Sequence, residues 1–151
     1  MSEETQAVRG VTEEAAFDAV FYGKPMTIKF SIGTGEQERE LEVAVMWPDG
    51  DDETEIISRA TAILNIQPDF ATTFDLAWAR GRAALEQLAA PPFPEWLSGP
   101  DGAYLSKQPV MWHGKRMVRP DTGKMKNKAI PAAFWYAYQD VISRFHTVAA
   151  G

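Results

Sequence analysis

The chain has no cysteine in its 151 residues. That excludes disulfides, thiolate metal ligands and a cysteine nucleophile, and it leaves the redox compartment open. Histidine is nearly absent too. His113 and His146 are the only two, and neither has a carboxylate or a second histidine at motif spacing, as a general base or ligand set requires. Both read as exposed side chains. No apolar run approaches the length of a membrane span. Met1 to Gly10 are polar and acidic, without the basic and apolar regions of a secretory signal. The expected location is a cytoplasm. Phosphate-cradling loops are missing as well. Gly33-Thr34-Gly35, and the pair Gly99 and Gly102, lack a following lysine or helix start. The acidic run Asp49, Asp51, Asp52, Glu53 and Glu55 lacks the spacing and distal glutamate of a calcium loop. It reads as a turn followed by an acid-rich helix start, which the helix dipole favours, with a weak divalent-ion site as the lesser alternative. No cofactor or metal is expected, and no catalytic set is recognisable.

What is present describes a folded globule. Apolar residues make up 45% of the chain, enough to exclude wholesale disorder. The length fits one domain with its own core. The expected organisation is a flexible tail over residues 1–11 and a single domain over 12–151, with a division into two sub-regions near 89–102 left open.

The net charge of −6 hides an asymmetry. Residues 1–55 hold 14 acidic and 4 basic side chains, whereas residues 101–151 hold 3 and 8. Either the two ends neutralise each other within the fold, or each faces a different partner.

Periodicity predicts a helix over about Thr12–Tyr22. Thr12 caps it, Glu13 and Glu14 fill its first turn, and Gly23 and Pro25 end it. Its expected apolar face is Ala16, Phe17, Val20 and Phe21. The period then changes to two. Met26, Ile28, Phe30 and Ile32, then Leu41, Val43, Val45 and Trp47, alternate with polar residues on either side of a glycine turn, which predicts a β-hairpin. Asp52 and Glu55 have capping-box spacing for a second helix, whose stripe is Ile56, Ile57, Ala60, Ile63 and Leu64. Asp69 is the expected cap of a third helix, with the stripe Phe70, Phe74, Ala77, Trp78, Gly81, Leu85 and Leu88. A glycine inside that stripe costs about 1 kcal/mol relative to alanine, so Gly81 implies close approach of another backbone.

Pro91, Pro92, Pro94 and Pro100 make 89–102 a loop, from which Phe93 and Trp96 fold back toward the core. Val110–Trp112 and Lys115–Val118 predict a second, weaker hairpin. Pro131 suits the first turn of a last helix, with the stripe Phe134, Trp135, Tyr138, Val141, Ile142 and Phe145. The expected fold is α+β: a small antiparallel sheet of two hairpins with about four helices packed on one face.

Two features bear on partners. Lys107, Lys115, Arg116, Arg119, Lys124, Lys126 and Lys128 crowd a segment in which Asp121 is the sole acid. With Tyr104 and Trp112 nearby, such a segment suits a nucleic-acid backbone and its bases, yet the chain as a whole is acidic. A solvated loop and a loop docked on an acidic partner, including another copy's N-terminal half, are the other readings. The second feature is the aromatic load of five tryptophans and eight phenylalanines. Aromatics concentrate at interface hot spots, so Phe93, Trp96 and Trp112 mark a binding patch if they are exposed.

The order of parts is a hairpin (Met26–Trp47), paired helices (Asp52–Leu88), the segment Pro91-Pro92-Phe93-Pro94-Glu95-Trp96-Leu97 and the aromatic helix Phe134-Trp135-Tyr136-Ala137-Tyr138. This layout, over residues 24–147, resembles the tail assembly chaperones and related small morphogenesis proteins of tailed phages. The resemblance implies a non-enzymatic protein that binds tail components and steers their polymerisation, located in a host cytoplasm or an assembled virion. It carries over no residue position by position. The function expected is therefore a protein-binding assembly factor acting through Phe93, Trp96, Trp112, Lys115, Arg116, Arg119, Lys124, Lys126 and Lys128. The alternative is a nucleic-acid accessory protein acting through 107–128. An enzyme built on Asp49 or Asp75 with His113 ranks last.

Overall fold

The computed structural model describes residues 7–65, 71–99, 104–105, 110–112, 115–125 and 127–150. Helix α1 spans Glu13–Tyr22, strand β1 Met26–Ile32 and strand β2 Arg39–Val45. Helices α2 (Gly50–Leu64), α3 (Thr73–Leu88) and the single turn α4 (Glu95–Ser98) follow. Strands β3 (Val110–Trp112) and β4 (Lys115–Met117) precede the last helix, α5 (Ala129–Ala150). The fold is α+β, as the patterning implies. No helix among the described residues is long and apolar enough to cross a membrane.

β1 and β2 pair antiparallel from Met26 opposite Val45 to Ile32 opposite Arg39. Alternation sends Met26, Ile28 and Phe30 inward and Thr27, Lys29 and Ser31 to solvent, because successive side chains of a strand point to opposite faces. α5 and α1 cover the inner face. Phe30 meets Phe134 of α5 edge to face at 5.9 Å and Trp96 of α4 at 5.6 Å. β3 and β4 pair from Val110 opposite Met117 to Trp112 opposite Lys115. Among the described residues they form a two-stranded sheet separate from that of β1 and β2.

α3 is the central helix, packed on α2 and on α5. Its buried positions are mostly small: Ala77, Ala79, Gly81, Ala83 and Ala84. A Cβ at Gly81 would overlap the carbonyl oxygen of Pro131. The glycine is therefore the condition for the α3–α5 crossing, as its place in the stripe implies. The end of α3 is tied to β2 by Met46 N–H to Leu88 C=O and Ala90 N–H to Ala44 C=O, both 2.8 Å.

Several boundaries differ from expectation. The capping box of α2 is Asp49 with Asp52, one turn earlier than Asp52 with Glu55. Helix α3 is capped by Thr72 with Asp75, while Asp69 and Phe70 lie outside the described residues. Phe74 is exposed. α5 starts two residues before Pro131, where the Asn127 side chain accepts from Ala129 N–H at 2.8 Å.

Residues 7–11, expected within the flexible tail, hold a fixed turn. Val8 and Val11 exchange backbone hydrogen bonds of 2.9 and 2.8 Å, Arg9 C=O accepts from Lys29 N–H, and Val11 is buried. The Arg9 guanidinium grips Asp140 of α5 at 2.8 and 3.0 Å. Residues 1–6 lie outside the described residues.

Candidate functional site

The aromatics expected at a binding patch are placed unevenly. Phe93 and Trp96 are half-buried and pack on the core, and Trp96 spends its ring on Phe30. Neither is part of an exposed patch, because the proline-rich segment folds back over the hairpin. Trp112, Lys115 and Arg116 belong to the second hairpin, and their side chains, like Lys126, Lys107 and His113, lie outside the described residues.

The remaining cations lean on the protein. Arg119 is half-buried and donates to Gln87 of α3 at 3.4 Å. Gln87 in turn donates to the buried carboxylate of Asp52 at 2.8 Å. Arg119 Nε is buried without a hydrogen-bond partner among the described residues. Beside it, the buried Thr122 hydroxyl donates to Glu86 and accepts from Arg82 Nε. Glu86 also pairs with Arg59 at 3.1 Å. The Lys128 ammonium sits 4.7 Å from the centroid of the Trp78 ring, and Arg82 lies 5.3 Å from it. A cation over an aromatic face is held by the ring quadrupole. Lys124 is left exposed. Of the basic segment, Arg119 and Lys128 are thus docked on α3, and among the described residues no ion pair joins a carboxylate of residues 1–55 to a cation of residues 101–151.

The surface that stands out lies elsewhere, on α1. Thr12 caps the helix by accepting from Ala15 N–H at 3.1 Å, and Gly23 ends it in the left-handed conformation at φ 64°. Its inward face is Ala16 and Ala19. Small side chains there bring the helix backbone close to the core, and the bulky residues turn outward. Phe17, Phe21 and Tyr22 are 44%, 51% and 65% exposed. They form one aromatic ridge, with Phe17 to Phe21 at 4.7 Å and Phe17 to Tyr22 at 6.0 Å between ring centroids. This corrects the expectation that Phe17 and Phe21 face the core. Glu13 and Glu14 are exposed along the same helix, with Asp18 half-buried among them. On a helix, residues three and four apart are neighbours, so the ridge is flanked by three carboxylates. Exposed Glu36, Glu38, Glu40 and Glu42 extend the acidity onto the nearby hairpin.

A cleft of about 290 Å³ opens between α2 and α5, over α3. Ile56 and Ile57 line one wall, and Trp135 and Ile142 the other, with Glu53, Arg80, Tyr138, Gln139 and Ser143 supplying the polar groups. The Tyr138 hydroxyl is held well above its usual pKa by burial, then by the nearby charges of Glu53 and Asp52, so it stays a neutral donor.

Of the polar groups considered for catalysis, Asp49 and Asp75 belong to the capping boxes of α2 and α3, His146 Nδ1 lies 2.7 Å from Ser143 C=O, and His113 lies outside the described residues. Among the described residues, no three His, Asp or Glu side chains gather to hold a metal ion. Comparison of the chain with protein-family models, with curated proteins and with solved structures finds no match in any of the three.

Proposed function

We propose that this protein is a binding and assembly factor whose docking surface is the ridge of α1. The observation that carries the reading is the solvent-facing trio Phe17, Phe21 and Tyr22 within a border of Glu13, Glu14 and Asp18. Contiguous exposed aromatics are what an interface buries. The acidic border selects a partner surface that is basic and apolar, since opposite charge steers encounter and like charge rejects the wrong partner. The layout's resemblance to phage tail assembly chaperones points the same way, to a protein that holds other proteins in an assembly pathway. Lys128 and Arg119 spend their charge on Trp78 and Gln87, which leaves those two cations less free for a nucleic-acid backbone.

The test is a titration with a fluorescently labelled helical peptide of leucine and lysine, followed by anisotropy, against a leucine–glutamate peptide of the same length. Saturable binding of the basic peptide alone is expected, and Phe17→Ser with Phe21→Ser should weaken it about tenfold or more. Absence of binding, or binding indifferent to those substitutions, defeats the reading. Light scattering at low and high salt covers the remaining occupant. A salt-sensitive oligomer makes a second copy of the chain the partner, with its basic segment against the acidic ridge. Retention on nucleic acid at low salt would instead favour the alternative function.

A further inference from the structure

We propose that the cleft between α2 and α5 binds a small apolar monocarboxylic acid, with Arg80 holding its carboxylate and Tyr138 hydrogen-bonding to it. This site is separate from the α1 ridge and does not depend on it.

Arg80 is the anomaly among the arginines whose side chains are described. Arg9 pairs with Asp140, and Arg59 with Glu55 and Glu86. Arg82 has Thr122 and Trp78, and Arg119 has Gln87. Arg39 donates to the Glu38 carbonyl, and Arg144 lies over the Phe145 ring. Arg80 is half-buried and lines the cleft, yet it has no ion pair, hydrogen bond or ring contact among the described residues. A guanidinium stays charged at any ordinary pH and presents a planar fork that matches a carboxylate. Partly desolvated and unpaired, it favours an anion.

Tyr138 is the second anomaly. The residue is only 4% exposed, but its hydroxyl, which has no hydrogen-bond partner among the described residues, is not one of the buried unpaired atoms and so meets the open cleft. A tyrosine placed this way offers an apolar body and a polar tip to a ligand. Its ring is fixed by Phe134 at 5.8 Å and Trp135 at 5.3 Å, so it lines the cleft as a positioned donor.

The surroundings narrow the ligand. Ile56, Ile57, Trp135 and Ile142 offer an apolar and aromatic wall, which calls for a hydrocarbon or aromatic body. The volume of about 290 Å³ is at the lower end for small-molecule sites, which run roughly 300–1,000 Å³. Glu53 lines the cleft, and its charge and that of Asp52 reach Tyr138. A dianion such as a phosphate monoester is repelled by these carboxylates. A single carboxylate paired with Arg80 bears far less of that repulsion.

The test uses the full chain, labelled with nitrogen-15, and a panel of isovalerate, phenylacetate, 4-phenylbutyrate and octanoate. Amide signals of residues 53–57 and 135–143 should shift saturably with at least one member. The alcohol of the same carbon skeleton and phenyl phosphate should each bind about tenfold more weakly or worse. Arg80→Gln should weaken the carboxylate about tenfold or more, Arg80→Lys less, and Tyr138→Phe severalfold, with folding of each variant checked by its amide spectrum. Phe17→Ser with Phe21→Ser should leave this binding unchanged, so failure here and failure at the ridge are read separately. The proposal is overturned if no carboxylate shifts those signals, if Arg80→Gln binds as well as the native chain, or if the alcohol or phenyl phosphate matches the acid.

Discussion

Helices α1 and α5 carry the same sequence texture, aromatics at three- and four-residue spacing, and the fold treats them in opposite ways. In α5, Phe134, Tyr138, Val141 and Phe145 are buried, and Phe134 closes over the hairpin. In α1 the alanines are buried and Phe17, Phe21 and Tyr22 meet water. The difference lies in what each helix offers on its other side. α1 has an alternative apolar arc, Ala16 and Ala19, small enough to approach the core. The opposite side of α5 carries the exposed Gln139, Asp140, Ser143 and Arg144 together with Tyr136, 49% exposed, so the face left to bury is the one that holds Phe134, Tyr138 and Phe145. An aromatic stripe therefore marks a core only when the helix has no smaller face to bury.

The contrast is open to measurement. Phe134→Ala should cost about 3–5 kcal/mol of stability in urea unfolding, since a large ring leaves a cavity in a packed interior. If it costs less than 1, α5 is not the core helix described here. Gly81→Ala should be the next largest effect, about 1–3 kcal/mol or more, despite the better helix propensity of alanine, because the added carbon meets the Pro131 carbonyl. A gain in stability would mean that α3 and α5 cross more loosely than their geometry implies. Thr12→Ala removes the α1 cap and should cost about 1 kcal/mol, a value near zero showing that α1 is held by packing alone.

Tyr138 sharpens the comparison from the alkaline side. Its folded pKa lies above the unfolded value of about 10. The neutral form is the one the fold favours, so this contribution is intact below pH 10 and is lost as pH rises beyond it. Tyr138→Phe should flatten that alkaline decline, and an identical decline in the variant would place the hydroxyl in water. The smallest effect belongs to α1, where Phe17→Ser should change stability by no more than about 0.5 kcal/mol. The same change should weaken binding of the basic peptide severalfold, which separates a contact surface from a core.

Most of the fold was legible. The period-two runs gave the first hairpin and the inward side of β1, and the stripe of α5 gave its buried face. Gly81 announced a close crossing because its conformational cost required a packing reason. What failed was the choice between overlapping faces. In α1 the positions 16, 17, 20 and 21 satisfy the helical period as well as 16 and 19 do, and period alone cannot weigh ring against methyl. Glu13, Glu14 and Asp18 among the aromatics were the signal that this side faces water. The cap of α2 was misplaced by one turn because any two carboxylates three apart fit the box. Arg80 and Tyr138 were invisible as a pair, since helix packing alone brings them to one cleft. The basic run was legible as charge, but its docking on Gln87 and Trp78 depends on a chain reversal that no spacing encodes.

The grip of Arg9 on Asp140 joins residues 131 positions apart, and the helix that holds Asp140 is also the lid of the first hairpin. During synthesis the hairpin and the turn at residues 8–11 are made well before α5. Until then Met26, Ile28 and Phe30 have no cover from that side. Late arrival of a non-local partner slows folding and leaves an apolar sheet face open to other chains. The vulnerable moment for this chain is the interval between making β1 and making α5, when that apolar face lacks its cover.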